Sequence, residues 1–446
     1  MKYKIVFSFL KYKIILSMLS IAISSTALAQ NIYISPKGSD SNSGDILSPL
    51  RTIMAAQDKA STGDTVYIRG GTYYMTDDDI SCHQSIRAIV NNLDKDGISY
   101  INFPRESPVF DFSQVKPEDY RVTAFMVRAD HCVFKGFDVV GVQVTIANEH
   151  TQSEAFMVNK GNYNRFENLA IHDGMAIGWY LVDGSNNYVL NVDAYNNQGL
   201  NHNSNGNVDG FGAHPRSASS SGNVISGSRA WFNSDDGFDL IFANAAVTIE
   251  NSWAFYNGYD QEFNGIGDGN GFKAGGYGSN GSSVPASVPR HILRNNLAVY
   301  NRSAGFYANH QVGGQTWINN TAIGNQGANF NMLSTLSDND TDVDGYDHYM
   351  RNNLGFDGYH EVINLGDENS NDIYNNYFNL PIYVTAEDFR SLDERQLMAS
   401  RKSNGDLPDI SYGHLKQGSD LIDAGVDIGH EYNGACPDLG AFESDY

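Results

Sequence analysis

The sequence predicts an all-β protein: a single-stranded parallel β-solenoid of roughly ten coils, closed at its N-terminal end by a capping helix. Three observations predict it. The first is a motif that returns: Glu167-Asn-Leu-Ala-Ile-His-Asp173, Leu190-Asn-Val-Asp-Ala-Tyr-Asn-Asn197, Gly227-Ser-Arg-Ala-Trp-Phe-Asn233, Asn251-Ser-Trp-Ala-Phe-Tyr-Asn257, Asn295-Asn-Leu-Ala-Val-Tyr-Asn301 and Asn319-Asn-Thr-Ala-Ile-Gly-Asn325. Registered on Ala170, Ala194, Ala230, Ala254, Ala298 and Ala322, the gaps are 24, 36, 24, 44 and 24 residues. The second is the make-up of each unit. It is short, rich in Asn and Gly, carries β-branched and aromatic residues, and lacks helical periodicity, so it must stack to bury a face. The third is a column three residues after each alanine: Asp173, Asn197, Asn233, Asn257, Asn301 and Asn325. Stacked amides one coil apart can hydrogen-bond along the axis. Period two would put the residue after each alanine (Ile171, Tyr195, Trp231, Phe255, Val299, Ile323) on that same interior face.

The elements follow in order. Lys2, Lys4, Lys11 and Lys13 precede the apolar run 14–23, and Ala27-Leu-Ala29 ends in small residues before Gln30. That is the pattern of a cleaved secretory signal over 1–29, too short in its apolar part to span a membrane. Residues 30–446 are expected to form one domain, secreted or periplasmic, with caps at both ends. Ser48-Pro49 reads as a helix start, with a stripe of Leu50, Ile53, Met54 and Ala56. Gly63-Asp64 ends that helix, and Thr65-Val-Tyr-Ile-Arg69 reads as a strand. Over 75–160 only Val109-Phe-Asp-Phe112 and Cys132–Val140 read as strands, with turns and loops between. After Ala322, Arg351-Asn-Asn-Leu-Gly355 and Tyr374-Asn-Asn-Tyr377 read as further coils. Ala386–Arg401 has helix-forming composition and is expected to pack outside the solenoid. The tail, through Pro437-Asp-Leu-Gly-Ala-Phe-Glu443, reads as an ordered closing segment.

The chain has 446 residues and a net charge of −23. That argues against nucleic acid and an anionic membrane as partners. An acidic substrate would need a cation or a local basic patch to mediate. Cys82, Cys132 and Cys436 make neither a disulfide framework nor a metal spacing; three buried thiols are expected over one bridge and one free thiol.

The two enlarged repeats carry the chemistry. The first includes Asp209, in Asn207-Val-Asp-Gly-Phe-Gly-Ala-His214, and the second includes Lys273, in the glycine-rich Gly269-Asn-Gly-Phe-Lys-Ala-Gly-Gly276. Between them lies Asn233-Ser-Asp-Asp-Gly-Phe-Asp239, whose Asp235, Asp236 and Asp239 would repel unless something positive holds them. A hard cation is the simplest candidate. Insertions in a solenoid map to loops on one face, so these residues are expected on one flank. The bland readings are a solvated turn, a structural cation site and a surface lysine. His214, Arg216 and His310 are weaker candidates for contact with a polyanion. Asp340-Thr-Asp-Val-Asp-Gly345 fits the start of an EF-hand loop, but position twelve is Arg351. A polar turn is the expected reading there, a second cation the alternative. Asn301-Arg-Ser303 matches a glycosylation sequon, to which no role is attached.

These segments resemble the family-nine polysaccharide lyases of the pectate lyase L type. The resemblance covers nearly the whole chain after the signal. It runs from Ile34-Ser-Pro-Lys-Gly-Ser-Asp40 and Gly63–Tyr73, through Val208-Asp-Gly-Phe211, to the closing Pro437–Glu443. Its specific part is Asp-Asp-x-x-Asp followed by Gly-Phe-Lys. It implies a right-handed parallel β-helix that cleaves galacturonate-containing pectic chains by β-elimination. Calcium would be carried by Asp209, Asp235, Asp236 and Asp239, with Lys273 as the base. The substrate partner would be a pectic polysaccharide, with no nucleic acid or membrane, and the protein a monomer. Pectate and rhamnogalacturonan I are not distinguished by these motifs. A pectic hydrolase using Asp235 and Asp236 as a carboxylate pair and a non-catalytic glycan-binding solenoid are the alternatives.

Overall fold

The computed structural model describes residues 29–146, 152–199, 205–278 and 284–446. The expected signal segment, apart from Ala29, lies outside them. Strands stack into three walls of twelve, ten and eleven strands, so that successive strands of the chain visit the first, second and third wall in turn. One coil is Val247–Glu250, Trp253–Phe255 and Phe272–Lys273. Pairing within the walls is parallel, except where Cys82–Gln84 folds back on Arg87–Leu93. The fold is the expected parallel β-helix, and one apolar cluster runs through it from Ile32 to Leu439.

The asparagine column is an interior hydrogen-bond ladder. Each amide donates to the carbonyl of the next coil: Asn197 to Asn233, Asn233 to Asn257, Asn257 to Asn301 and Asn301 to Asn325, all at 3.0 Å. A second ladder, Asn296–Asn320–Asn353–Asn376, lines another corner. The abundance of Asn has a further cause. Asn191, Asn251, Asn295, Asn319, Asn352 and Asn375 take positive φ at the turn between the first and second walls. Asn tolerates that left-handed conformation better than other non-glycine residues.

Several expectations are corrected. The alanines face inward: Ala194, Ala230, Ala254, Ala298 and Ala322 pair in register and are fully buried. The residues after them point outward, where Tyr195, Trp231 and Phe255 stack ring on ring. Alternation does not carry from that residue to the Asn because the residue between them (Asn196, Phe232, Tyr256, Tyr300) has positive φ and resets the side-chain direction. Phe255, Val299 and Ile323 are nonetheless buried, with the C-terminal segment against the outside of this wall. Arg229, for instance, donates to the carbonyls of Leu397 and Ala399. Ala170 is one residue out of register. It pairs with Asp193, and Ile171 pairs with Ala194, so Asp173 lies outside the ladder and accepts a hydrogen bond from Asn196.

The coils also begin earlier than expected. Gly71–Thr76, Arg87–Leu93, Ser99–Asn102 and Arg121–Val127 are strands, and the expected Val109–Phe112 lies within the strand Pro108–Gln114. Arg121–Val127 shows no alternation because both of its faces are covered. Phe125 points inward, while Met126 packs with Ile89, Met157 and Val182 outside. Cys132–Val140 divides into two strands at Gly136, a corner with φ 77°. The capping helix is Ile53–Lys59, and its cap is Thr52 rather than Ser48. Leu50 is drawn into strand-like bonding with Tyr33 instead. Ala386–Arg401 holds two 3-10 turns, Ala386–Asp388 and Glu394–Met398, not a long helix. Asp388 and Asp393 bond to nearby backbone N–H groups and stop propagation. All three cysteines are free, and only Cys132 is fully buried. The Asn301 sequon sits in the interior ladder.

The third-to-first corner carries a mixed polar column with a cost in acid. His291 Nδ1 accepts from the Val247 N–H at 3.1 Å, and His348 Nδ1 from the Gln315 N–H at 3.0 Å. Burial pushes these imidazoles down to about 3 and about 4. Their folded pKa values lie below the ordinary 6.5, so the unfolded chain binds protons that the folded chain does not. Stability is retained above that value and lost as pH falls through it. Two outcomes follow. In denaturant titrations, Asn257→Leu, which strips both neighbours of a ladder bond, should cost at least about 2 kcal/mol. Between about pH 7 and about pH 5 the parent should lose about 2 kcal/mol more than His348→Gln, whose amide oxygen can accept the same N–H without titrating.

Candidate active site

The third wall builds the site from a short phrase repeated in four coils: Gly210-Phe211-Gly212, Gly237-Phe238-Asp239, Gly271-Phe272-Lys273 and Gly305-Phe306-Tyr307. The phenylalanines form one interior stack with ring centroids 4.7–4.9 Å apart. The preceding glycines sit where the coil is narrowest. A Cβ on Gly237 would lie 3.0 Å from the Ala254 Cβ and 2.8 Å from the Asn257 amide. With Phe fixed inward, the next residue points outward. The outer column therefore reads Tyr180, Gly212, Asp239, Lys273, Tyr307, Asn331, in register across neighbouring strands. Lys273 is on a strand, not in the loop the glycines suggested.

Asp209 and Asp236 take the place of ladder amides at the entry to this wall. The Asp236 N–H donates to Asp209 Oδ1 at 3.3 Å, the Asn270 N–H to Asp236 Oδ1 at 2.7 Å, and the Ala304 N–H to Asn270 Oδ1 at 3.1 Å. Asp235 sits one residue earlier, on the same turn. Carboxylate oxygens of Asp209, Asp235 and Asp236 all lie within 4.8 Å of one another. Asp239 stands apart from that trio. Its Oδ1 accepts from the Ile241 N–H at 2.7 Å, and its Oδ2 is 3.3 Å from Lys273 Nζ. Lys273 Nζ is also 3.0 Å from Asp236 Oδ2.

All four aspartates are buried, against one ammonium. Burial, then the charges of Asp239 and Asp236, holds Asp209 well above the usual carboxylate range. Burial, then Asp236 and Asp209, does the same to Asp235. Burial pulls the Lys273 amine down, but Asp236, Asp239, Asp235 and Asp209 together hold it well above its ordinary value. The buried Asp235 Oδ1 has no hydrogen-bond partner among the described residues. Three clustered carboxylates, one with an orphaned oxygen, fit a hard divalent cation, which takes oxygen ligands in loose geometry. Soft metals would want thiolates or imidazoles.

Of the weaker candidates, His214 lies at the site. Its Nε2 is 3.8 Å from Asp239 Oδ2, its ring is edge-on to Tyr180, and burial keeps its pKa low. Arg216 is exposed nearby, and its charge acts on His214. His310 pairs with Asp342 at 2.6 Å. The EF-hand-like run has no flanking helices: Asp342–Val343 is a strand, and Asp340, Asp342 and Asp344 are exposed and belong to no metal-sized group among the described residues. Tyr307, next to Lys273 in the column, was missed. The recurring Gly-Phe phrase was the signal that could have found it. A hollow of about 560 Å³ beside it is lined by Tyr259, Asp268, Asn270, Arg302, Tyr307 and Asn331.

Residues 32–353 match the family described as Pel9A-like, right handed beta helix region. The chain is 35% identical over 428 residues to pectate lyase L of Dickeya chrysanthemi, covering 92% of this chain and 90% of that protein. A solved rhamnogalacturonan lyase is 45% identical with a TM-score of 0.84, covering 87% of this chain and 97% of that one. The crystal structure of pectate lyase Pel9A is 32% identical with a TM-score of 0.75, covering 94% and 97%.

The charge imbalance has a two-sided consequence. Asp235→Asn should raise the melting temperature of chelator-treated protein, because the buried carboxyl must either carry a charge beside Asp236 and Asp209 or take up a proton on folding, and the amide does neither. The same change should abolish most of the further rise that a divalent cation gives the parent. Thermal melts with and without cation measure both.

Proposed function

Because the chain belongs to the Pel9A-like right-handed β-helix family, the family-nine polysaccharide lyases, it is a polysaccharide lyase, and we propose that it cleaves galacturonate-containing pectic backbones by calcium-dependent β-elimination with Lys273 as the base. The observation that carries this is one amine, Lys273 Nζ, within 3.0–3.3 Å of two buried carboxylates, one of which, Asp236, belongs to a carboxylate trio. The named activities of the relatives, pectate lyase and rhamnogalacturonan lyase, point to uronate chains. We place the enzyme outside the cytoplasm, on the strength of its N-terminal lysines and apolar run, and acting as a monomer.

The chemistry asks three things of the chain. A uronate carries a weakly acidic proton at C5, beside its carboxylate. Bound among Asp209, Asp235 and Asp236, with Asp239 nearby, calcium would set positive charge against the substrate carboxylate and cancel the negative field that keeps Lys273 protonated. The neutral Lys273 Nζ takes the C5 proton. Its electron pair forms the C4–C5 double bond, and the C4–O bond breaks. The leaving oxygen takes a proton from water. Asp239, anchored by the Ile241 N–H, aims Lys273 across the coil boundary. A hydrolase using the Asp235–Asp236 pair has no need of Lys273 and leaves no conjugated product.

Ultraviolet absorbance of the unsaturated product tests the reading. Lys273→Ala should lower the rate by roughly a hundred- to ten-thousand-fold, and chelator should silence the parent until calcium is restored. A variant that keeps half of the parent rate would overturn the base assignment.

A further inference from the structure

Arg302 is an arginine without an acid. The chain has 52 acidic residues against 29 Lys and Arg. Arg69, Arg229, Arg294 and Arg351 each pair with a carboxylate, and among the described residues none pairs with Arg302. It lines the hollow of about 560 Å³ beside Tyr307, and among the described residues no other cationic side chain does. We propose that Arg302 binds the carboxylate of a second uronate of the polymer, outside the sugar that is deprotonated, and so sets how tightly the substrate is held. The inference rests on the lyase reading and adds a binding residue to it.

The side chain is built into place. Loop 258–267 closes on itself: the Ile266 N–H donates to the Gly258 carbonyl at 2.8 Å, and Asp260 Oδ1 accepts from the Asn264 N–H at 2.8 Å. Arg302 runs through a slot that two glycines of this loop leave open. A Cβ on Gly258 would lie 2.8 Å from the Arg302 Cβ, and one on Gly265 would lie 2.5 Å from its Nε. The guanidinium donates from Nη1 to the Gly267 carbonyl. Its Nε and Nη2 have no partner among the described residues, and the residue is exposed, so these donors are open to a ligand. A planar fork fixed in advance matches a carboxylate and loses little freedom on meeting one. Position agrees. Tyr307, on the same lining, is in register with Lys273. Asn270, also on the lining, donates from its amide to Asp236 Oδ1 at 2.8 Å, and Asp236 Oδ2 is 3.0 Å from Lys273 Nζ. A polymer seated on Lys273 and running on along the third wall passes this hollow one coil later, about 4.8 Å away. Asp268 is the one acid on the lining, and its charge acts on Asp235 of the trio, not through an ion pair with Arg302.

The test follows unsaturated product from polygalacturonate and from rhamnogalacturonan I, with calcium, for the parent, Arg302→Lys and Arg302→Gln, alongside thermal melts of all three. Lysine keeps the charge, while glutamine keeps a donor for the Gly267 carbonyl without it. On whichever polymer the parent cleaves, Arg302→Gln should raise KM about tenfold with kcat within about twofold, the signature of lost uniform binding. Arg302→Lys should raise KM by no more than about threefold. Added salt should raise the KM of the parent more steeply than that of Arg302→Gln. A parent-like KM in Arg302→Gln, or equal losses in both variants with lowered melting temperatures, makes Arg302 a pin for the loop and overturns the proposal. A fall in kcat beyond about twofold puts it on the reacting sugar and overturns the second-uronate assignment. Product from neither polymer would overturn the lyase reading itself, and the role of Arg302 with it.

Discussion

The register between consecutive coils of the third wall is the constraint on which the site depends. A glycine fits where the coil is narrowest, a phenylalanine fills the interior after it, and the third residue has only the outside left. A slip of one residue would bury Asp239 and Lys273 in the aromatic stack. The asparagine ladders oppose such a slip, because each amide answers one carbonyl in the coil below and one in the coil above. The interior thus sets which residues of distant repeats become neighbours. It does so for Asp239 and Lys273, 34 residues apart in the chain.

Against that rigid background, the acids at the site are a surplus. Asn270 occupies the same ladder position one coil after Asp236 and serves the next backbone N–H equally well without a charge. The fold therefore does not need carboxylates at 209 and 236. Buried carboxylates without full pairing are destabilising, and one lysine cannot offset four. Function is the remaining reason for them, and a hard cation is the partner their oxygens suit.

Much of this was legible in the sequence. The 24-residue spacing, the amide ladder and the gathering on one flank of Asp209 and Lys273, from the two enlarged repeats, with Asp235, Asp236 and Asp239 between them all followed from pattern. What was hidden has identifiable causes. The interior face was misassigned because a single positive-φ residue, such as Phe232 or Tyr256, breaks the period-two rule at the corner. The early coils were obscured because Arg121–Val127 is covered on both faces and shows no alternation. Ala170 matched the motif by composition while standing one residue off in space. That Asp236 as well as Asp239 meets Lys273, while Asp236 also closes the trio with Asp209 and Asp235, depends on side-chain directions that spacing alone does not give.

The central claim is that cation binding and deprotonation of this site are one event. Asp209 and Asp235 are held well above the ordinary carboxylate range, and Lys273 well above its own. A calcium ion held among these carboxylates would compete with protons for them. Titration calorimetry with calcium near neutral pH, in two buffers of different ionisation enthalpy, counts those protons. The account predicts net release of about one proton or more per calcium bound. Calcium binding with no proton release, or no calcium binding at all, would contradict it.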